Sequence, residues 1–169
     1  MDCNECGFVF GDEPGDQLGA RLRVVAAGYS SVLDSYDAGR LGLRPKPDVW
    51  SPLEYACHLR DVLWNIRDRI LLALVEDHPT FAPIHREVRV TLARYAGEAP
   101  ESVATGIACG ADLLGWLIEG LTPSQMARGG LYGGVDRDTL WMGRQALHEA
   151  VHHLKDVRGG VDATEPRVG

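Results

Sequence analysis

Three of the six histidines and one carboxylate fall within the segment 148–153: His148, Glu149, His152 and His153. On a helix, side chains four residues apart share a face and can converge on one ion. Two such pairs are available, His148 with His152 and Glu149 with His153. The first also spells His-Glu-x-x-His, in which two histidines hold zinc and the glutamate acts as general base. A peptidase of that kind needs a third ligand well downstream and a cleft for an extended substrate. Only 16 residues follow His153 in a chain of 169, and they are rich in glycine. The pattern therefore argues for a metal-binding helix more than for a protease.

A helical wheel at 100° per residue separates the pairs. Leu140, Gly143, Ala146, Leu147, Ala150, Val151, Leu154 and Val157 form one apolar arc. His153 lies within its border and Glu149 just beyond, whereas His148 and His152 point away. His58 borders the apolar stripe of an earlier helix in the same manner. A bundle could thus bring His58, Glu149 and His153 together, as metal sites in helix bundles are built. The register with His148 and His152 stays open at this stage. Each histidine taken singly is more simply a solvated residue near a helix end; the constellation is what points to a metal.

A second group of ligand types opens the chain. Cys3-Asn4-Glu5-Cys6-Gly7 is a Cys-x-x-Cys-Gly knuckle, half of a zinc site, with no second Cys-x-x-Cys to complete it. It reads equally as a loose tail over 1–13 or as a bound metal. A shared site using Cys57 or a histidine would require the tail to fold back.

These residues need rigid elements to position them. Over 16–37, Leu18, Leu22, Val25, Ala26, Tyr29, Val32, Leu33 and Tyr36 recur at three and four, which predicts an amphipathic helix. Two prolines and two glycines over 39–47 make a connector. Ser51-Pro52-Leu53-Glu54 is a capping box with proline at the first helical position, opening a helix to about 76 with His58 one turn in. A short helical piece is expected over 86–95, and a third long helix over about 100–121. Gly129-Gly130 and Gly133-Gly134 predict a mobile loop before a last helix over 138–157, which Gly159-Gly160 should end. No alternating strand pattern is evident. The expectation is an all-α four-helix bundle over 14–160 with a disordered tail over 161–169, and crossovers in place of simple up-down order are open.

Composition limits the partners. The formal net charge of -7, without a basic block, argues against nucleic acid. No apolar run reads as a membrane span and no leader pattern opens the chain, so a cytoplasmic location with reduced cysteines is expected.

Trp50-Ser51-x-x-Glu54-x-x-x-His58 and the His152-His153 doublet resemble the DinB/YfiT superfamily, over nearly the whole chain after the knuckle. The resemblance implies a four-helix bundle, often dimeric, holding a divalent metal by one histidine of the second helix and two ligands four apart on the last. Aligning the doublet implies His58, Glu149 and His153, with Glu149 where many members carry histidine and the mycothiol-dependent maleylpyruvate isomerases carry glutamate. Zinc is the expected metal, with nickel or iron as alternatives. By the same resemblance the expected function is a metal-dependent thiol S-transferase or isomerase, joining a low-molecular-weight thiol of the mycothiol or bacillithiol kind to a small electrophile. Trp64, Trp141, Tyr132 and the 129–134 loop are candidates to line the pocket, and Arg60 and Arg144 to hold a carboxylate of the thiol. The alternatives are a non-catalytic, stress-associated metal-binding bundle, a non-haem iron oxygenase using two histidines and a carboxylate, and the zincin-like hydrolase.

Overall fold

The computed structural model describes residues 2–11 and 13–164. Four long helices, α1 (Leu18–Ser35), α3 (Pro52–Val75), α5 (Pro100–Glu119) and α7 (Thr139–Ala163), form the body. Short helices α2 (Ala38–Leu41), α4 (Arg86–Leu92) and α6 (Pro123–Met126) lie in the connections. Helix α1 packs on α5 and α7, and α3 packs on the same two, so the order around the bundle is α1, α5, α3, α7. Consecutive long helices therefore stand on diagonals at two of the three connections. Simple up-down order does not hold.

The capping box forms as read: the Ser51 hydroxyl accepts from the Glu54 amide at 3.2 Å, and the Ser51 amide donates to Glu54 Oε2 at 2.8 Å. Glu54 also accepts two hydrogen bonds from Arg44, at 2.8 and 2.7 Å. This pins the connector to the start of α3 and sets the depth at which His58 enters the bundle. Across the bundle, the buried Tyr29 hydroxyl of α1 donates to the Ala150 carbonyl at 2.7 Å and fixes α7 beside it.

Four expectations are corrected. The 129–134 segment is not a loose loop but the central strand of a sheet and the turn that follows it. Strands β1 (Thr80–Phe81), β2 (Gly129–Tyr132) and β3 (Val135–Asp138) lie in the order β1-β2-β3, parallel then antiparallel. The strands are short, and β2 opens with two glycines. A Cβ on Gly130 would meet the Pro79 carbonyl oxygen at 2.2 Å, so close backbone approach replaces the side-chain alternation that announces a strand. Next, Gly159-Gly160 does not end α7, which runs on to Ala163 with Val161 buried. A Cβ at Gly160 would lie 3.0 Å from Pro52 Cγ, so that glycine serves close packing against the start of α3. Of the expected disordered tail, 161–163 is thus helical, while 165–169 lies outside the described residues.

The third correction concerns α5, which by length and composition does suit a membrane span. Its apolar side, Val103, Ile107, Ala111, Leu114 and Ile118, is buried in the bundle core, which accounts for that composition. Finally, of the two even readings of the N-terminal segment, a loose tail or a bound metal, the loose tail does not hold. The segment folds back over α7, with Phe8 buried in the core, and the Arg144 guanidinium donates to the Glu13 carbonyl at 3.0 Å.

Candidate metal centre

Helix α3 delivers His58 and α7 delivers Glu149 and His153 to one point inside the bundle. One ligand atom from each lies within 4.8 Å of the others. His153 Nε2 stands 3.2 Å from Glu149 Oε2, and His58 Nε2 stands 3.7 Å from the same oxygen. Both histidines are buried, whereas the Glu149 side chain keeps 22% of its surface exposed. The cluster is therefore reached from solvent at the edge of the carboxylate.

The surroundings hold these donors in place. The Asp156 carboxylate pairs with His153 Nδ1 at 2.8 Å, leaving Nε2 to face Glu149. Gln145 donates its amide to Glu149 Oε1 at 2.7 Å, leaving Oε2 to face the imidazoles. The Trp50 ring lies 5.3 Å from the His58 ring and Tyr55 5.3 Å from the His153 ring, and both line a solvent-open cavity that also reaches His153 and Asp156. Such outer partners fix ring orientation and raise ligand basicity in metal sites. Asp156 and Gln145 sit at i+3 from His153 and i−4 from Glu149, so helical spacing could have nominated them.

The electrostatics follow from that packing. Burial by itself would raise the Glu149 carboxyl, but hydrogen bonding to His153 and His58 outweighs it and holds the group well below the usual carboxylate range. Burial likewise opposes charge on His153, yet Asp156 and then Glu149 outweigh it and lift the imidazole to about 9. Without metal, the pair persists as a buried ion pair at neutral pH. The donor set fits a divalent cation: an anionic oxygen sits between two imidazole nitrogens, all three within reach of one ion. Two nitrogens and one oxygen suit zinc, nickel or iron.

The other register does not meet His58. His148 and His152 face the N-terminal knuckle, and Cys3, Cys6, His148 and His152 form a second cluster with ligand atoms within 4.8 Å. Cys57 stays apart, buried with its Sγ against the Tyr95 carbonyl at 3.9 Å. Backbone hydrogen bonding from Cys6 is the largest influence lowering the Cys3 thiol to about 6, while burial raises that of Cys6.

The expected pocket residues divide. Trp141 stacks on Phe10 and meets Tyr132 edge-on at 5.3 Å, on the sheet side of α7. Tyr132 lies within electrostatic reach of Glu149, and burial keeps its phenol protonated. Arg60 and Trp64 project from the far side of α3: Arg60 pairs with Glu98 and Asp61, and Trp64 packs near Gly110. Arg144 is engaged by Glu13. Neither arginine faces the cluster, because each is drawn to nearer oxygen partners. Sequence reading missed Arg69, which repeats the His58 face three turns later; it is buried, with its guanidinium 4.5 Å above the Tyr132 ring.

Comparison with known proteins agrees with this architecture. YfiT from Bacillus subtilis, described as a probable metal-dependent hydrolase with an unusual four-helix bundle topology, superposes with a TM-score of 0.79 at 19% identity, covering 88% of this chain and 86% of that one. The mycothiol-dependent maleylpyruvate isomerase superposes with a TM-score of 0.70 at 16% identity. That match covers 89% of this chain but 63% of the isomerase. No curated protein matches the sequence. At these identities the structural likeness establishes the bundle alone. The sequence from residue 21 to 157 matches the family model of the DinB superfamily, and the chain belongs to that superfamily.

Proposed function

We propose that this protein is a metal-dependent S-transferase or isomerase that uses a low-molecular-weight thiol of the mycothiol kind on a small electrophile. The observation that carries the reading is a three-donor cluster beside a solvent-open cavity lined by Trp50, Tyr55, His153 and Asp156. A divalent metal held by His58, Glu149 and His153 would lower the pKa of a thiol taken into its open position, so that thiolate is present at neutral pH. Asp156 fixes the tautomer and orientation of His153, and Gln145 fixes the orientation of Glu149. Trp50 and Tyr55 offer aromatic surface to a small substrate in the cavity beside His153.

The glutamate at position 149 and the structural likeness to a mycothiol-dependent isomerase support the thiol over water as the activated group. The likeness to YfiT supports the opposite choice, a metal-bound water and hydrolysis. One experiment separates them. The zinc-loaded protein is incubated with mycothiol or bacillithiol and small electrophiles, and in parallel with activated esters and amides, and products are followed by mass spectrometry. Thiol conjugates or isomerised adducts are expected, with loss of turnover in His58→Ala. Ester or amide cleavage without any conjugate would overturn the proposal in favour of a hydrolase. No turnover in either arm would leave a non-catalytic metal-binding bundle.

A further inference from the structure

We propose that Cys3, Cys6, His148 and His152 form a second metal centre, a closed four-ligand zinc site that clasps the N-terminal knuckle to α7. The inference is independent of the catalytic reading, because it uses none of that cluster's ligands.

The geometry of the knuckle comes first. The Gly7 amide donates to the Cys3 carbonyl at 2.8 Å and the Cys3 amide to the Phe8 carbonyl at 2.9 Å, with Gly7 at φ +77°. That tight turn brings both thiols to one side, and only glycine takes such a φ without strain.

The helix supplies the other half. His152 Nδ1 stands 3.6 Å from Cys3 Sγ. Zinc bonds of about 2.3 Å to sulfur and 2.0 Å to nitrogen place tetrahedral ligands about 3.5 Å apart. The outer nitrogen of His152 faces Glu5 Oε2 at 3.4 Å and Asp156 Oδ2 at 3.6 Å, the carboxylate support usual for a ligating imidazole. His148 offers an independent indication. Both its ring nitrogens are buried, and among the described residues neither makes a well-formed hydrogen bond, while Phe8 and Phe10 press on the ring. The residue is half-buried, but its two ring nitrogens are shielded from water and need a partner, and a bound cation is one.

Donor chemistry then selects the ion. Two thiolates and two imidazoles suit zinc, and four protein ligands leave no position for a substrate, which makes the site structural. The cysteines supply a two-residue spacer and the histidines a three-residue one, within the range seen in Cys₂His₂ sites. Asp156 touches both clusters, pairing with His153 of the first and facing His152 of the second. Loading the second centre would therefore also steady the residue that orients the first.

The test uses the full chain, purified without a polyhistidine tag under reducing conditions. Metal analysis is expected to give about two equivalents in the wild type. It should give one in Cys3→Ser/Cys6→Ser and one in His58→Ala. Cobalt reconstitution should show thiolate-to-cobalt charge transfer in the wild type and in His58→Ala, and none in the double serine variant. Should that variant not fold, the wild type answers alone: loaded protein exposes Cys109 to a thiol reagent, and chelation releases two further reactive thiols. Unchanged metal content in the double variant would overturn the proposal. So would a reactive-thiol count that chelation does not alter.

Discussion

Replacing Asp156 by asparagine keeps the shape beside His153 and removes the charge that raises its pKa. His153 stands at about 9 against an ordinary 6.5, because Asp156 and Glu149 together outweigh burial. With Asp156 neutral, burial opposes Glu149 alone, and the imidazole falls toward 6.5 or below. Metal must displace the proton from Nε2. Wild-type affinity at the bundle cluster should therefore rise about tenfold per pH unit up to about 9, with about one proton released per ion at pH 7.5. In Asp156→Asn the rise should level off near pH 6.5 and the proton release at pH 7.5 should largely vanish. Loss of the orienting carboxylate then emerges above pH 9 as about a tenfold to hundredfold weaker site, or about 1.4 to 2.7 kcal/mol. Near neutrality the two effects offset, and a single measurement at pH 7 would conceal both. Calorimetry in buffers of differing ionisation enthalpy counts the protons directly. A Cys3→Ser/Cys6→Ser background confines the measurement to the bundle cluster. Equal proton counts in the presence and absence of the Asp156 charge would refute the argument.

Stability of the metal-free protein should depend on pH in the sense set by the raised His153 pKa. The contribution is complete below about 6.5 and is lost as pH rises through about 9, with a ceiling of about 3 kcal/mol. Thermal unfolding of chelated protein should thus weaken across that window, and a rising Tm there would contradict it. At the ligands, Glu149→Ala, His153→Ala and His58→Ala should each abolish metal at the bundle cluster, whereas Glu149→His should keep it. His148→Ala and His152→Ala should retain it within about a hundredfold and lose the second equivalent instead, as competition titration with a chelator would show. Gly160→Val should cost about 1 to 3 kcal/mol by forcing Pro52 away from α7, read as a lower denaturant midpoint.

Much of the frame was legible in the residues themselves, because helices announce themselves locally. The Ser51–Glu54 box, the apolar stripes and the four-residue spacing of Glu149 and His153 all act within one or two turns, and the structure keeps each of them. The sheet was hidden because its strands are short and the central one opens with two glycines where side chains would alternate. The true end of α7 was hidden because Gly160 answers to Pro52, a residue of another helix. The candidate centre lay between these cases: the wheel could place Glu149 and His153 on the inward border, but only packing could set His58 Nε2 at 3.7 Å from that carboxylate. The partition of the four ligand types on α7 belongs wholly to tertiary structure. His148 and His152 point away from the core, and whether they meet water or the thiols depends on where the first ten residues travel. Cys3 and His152 are 149 positions apart, and no local preference of either reports on the other. What draws them together is the burial of Phe8 and the stacking of Phe10 on Trp141, contacts that exist only once the bundle has formed a surface to receive them.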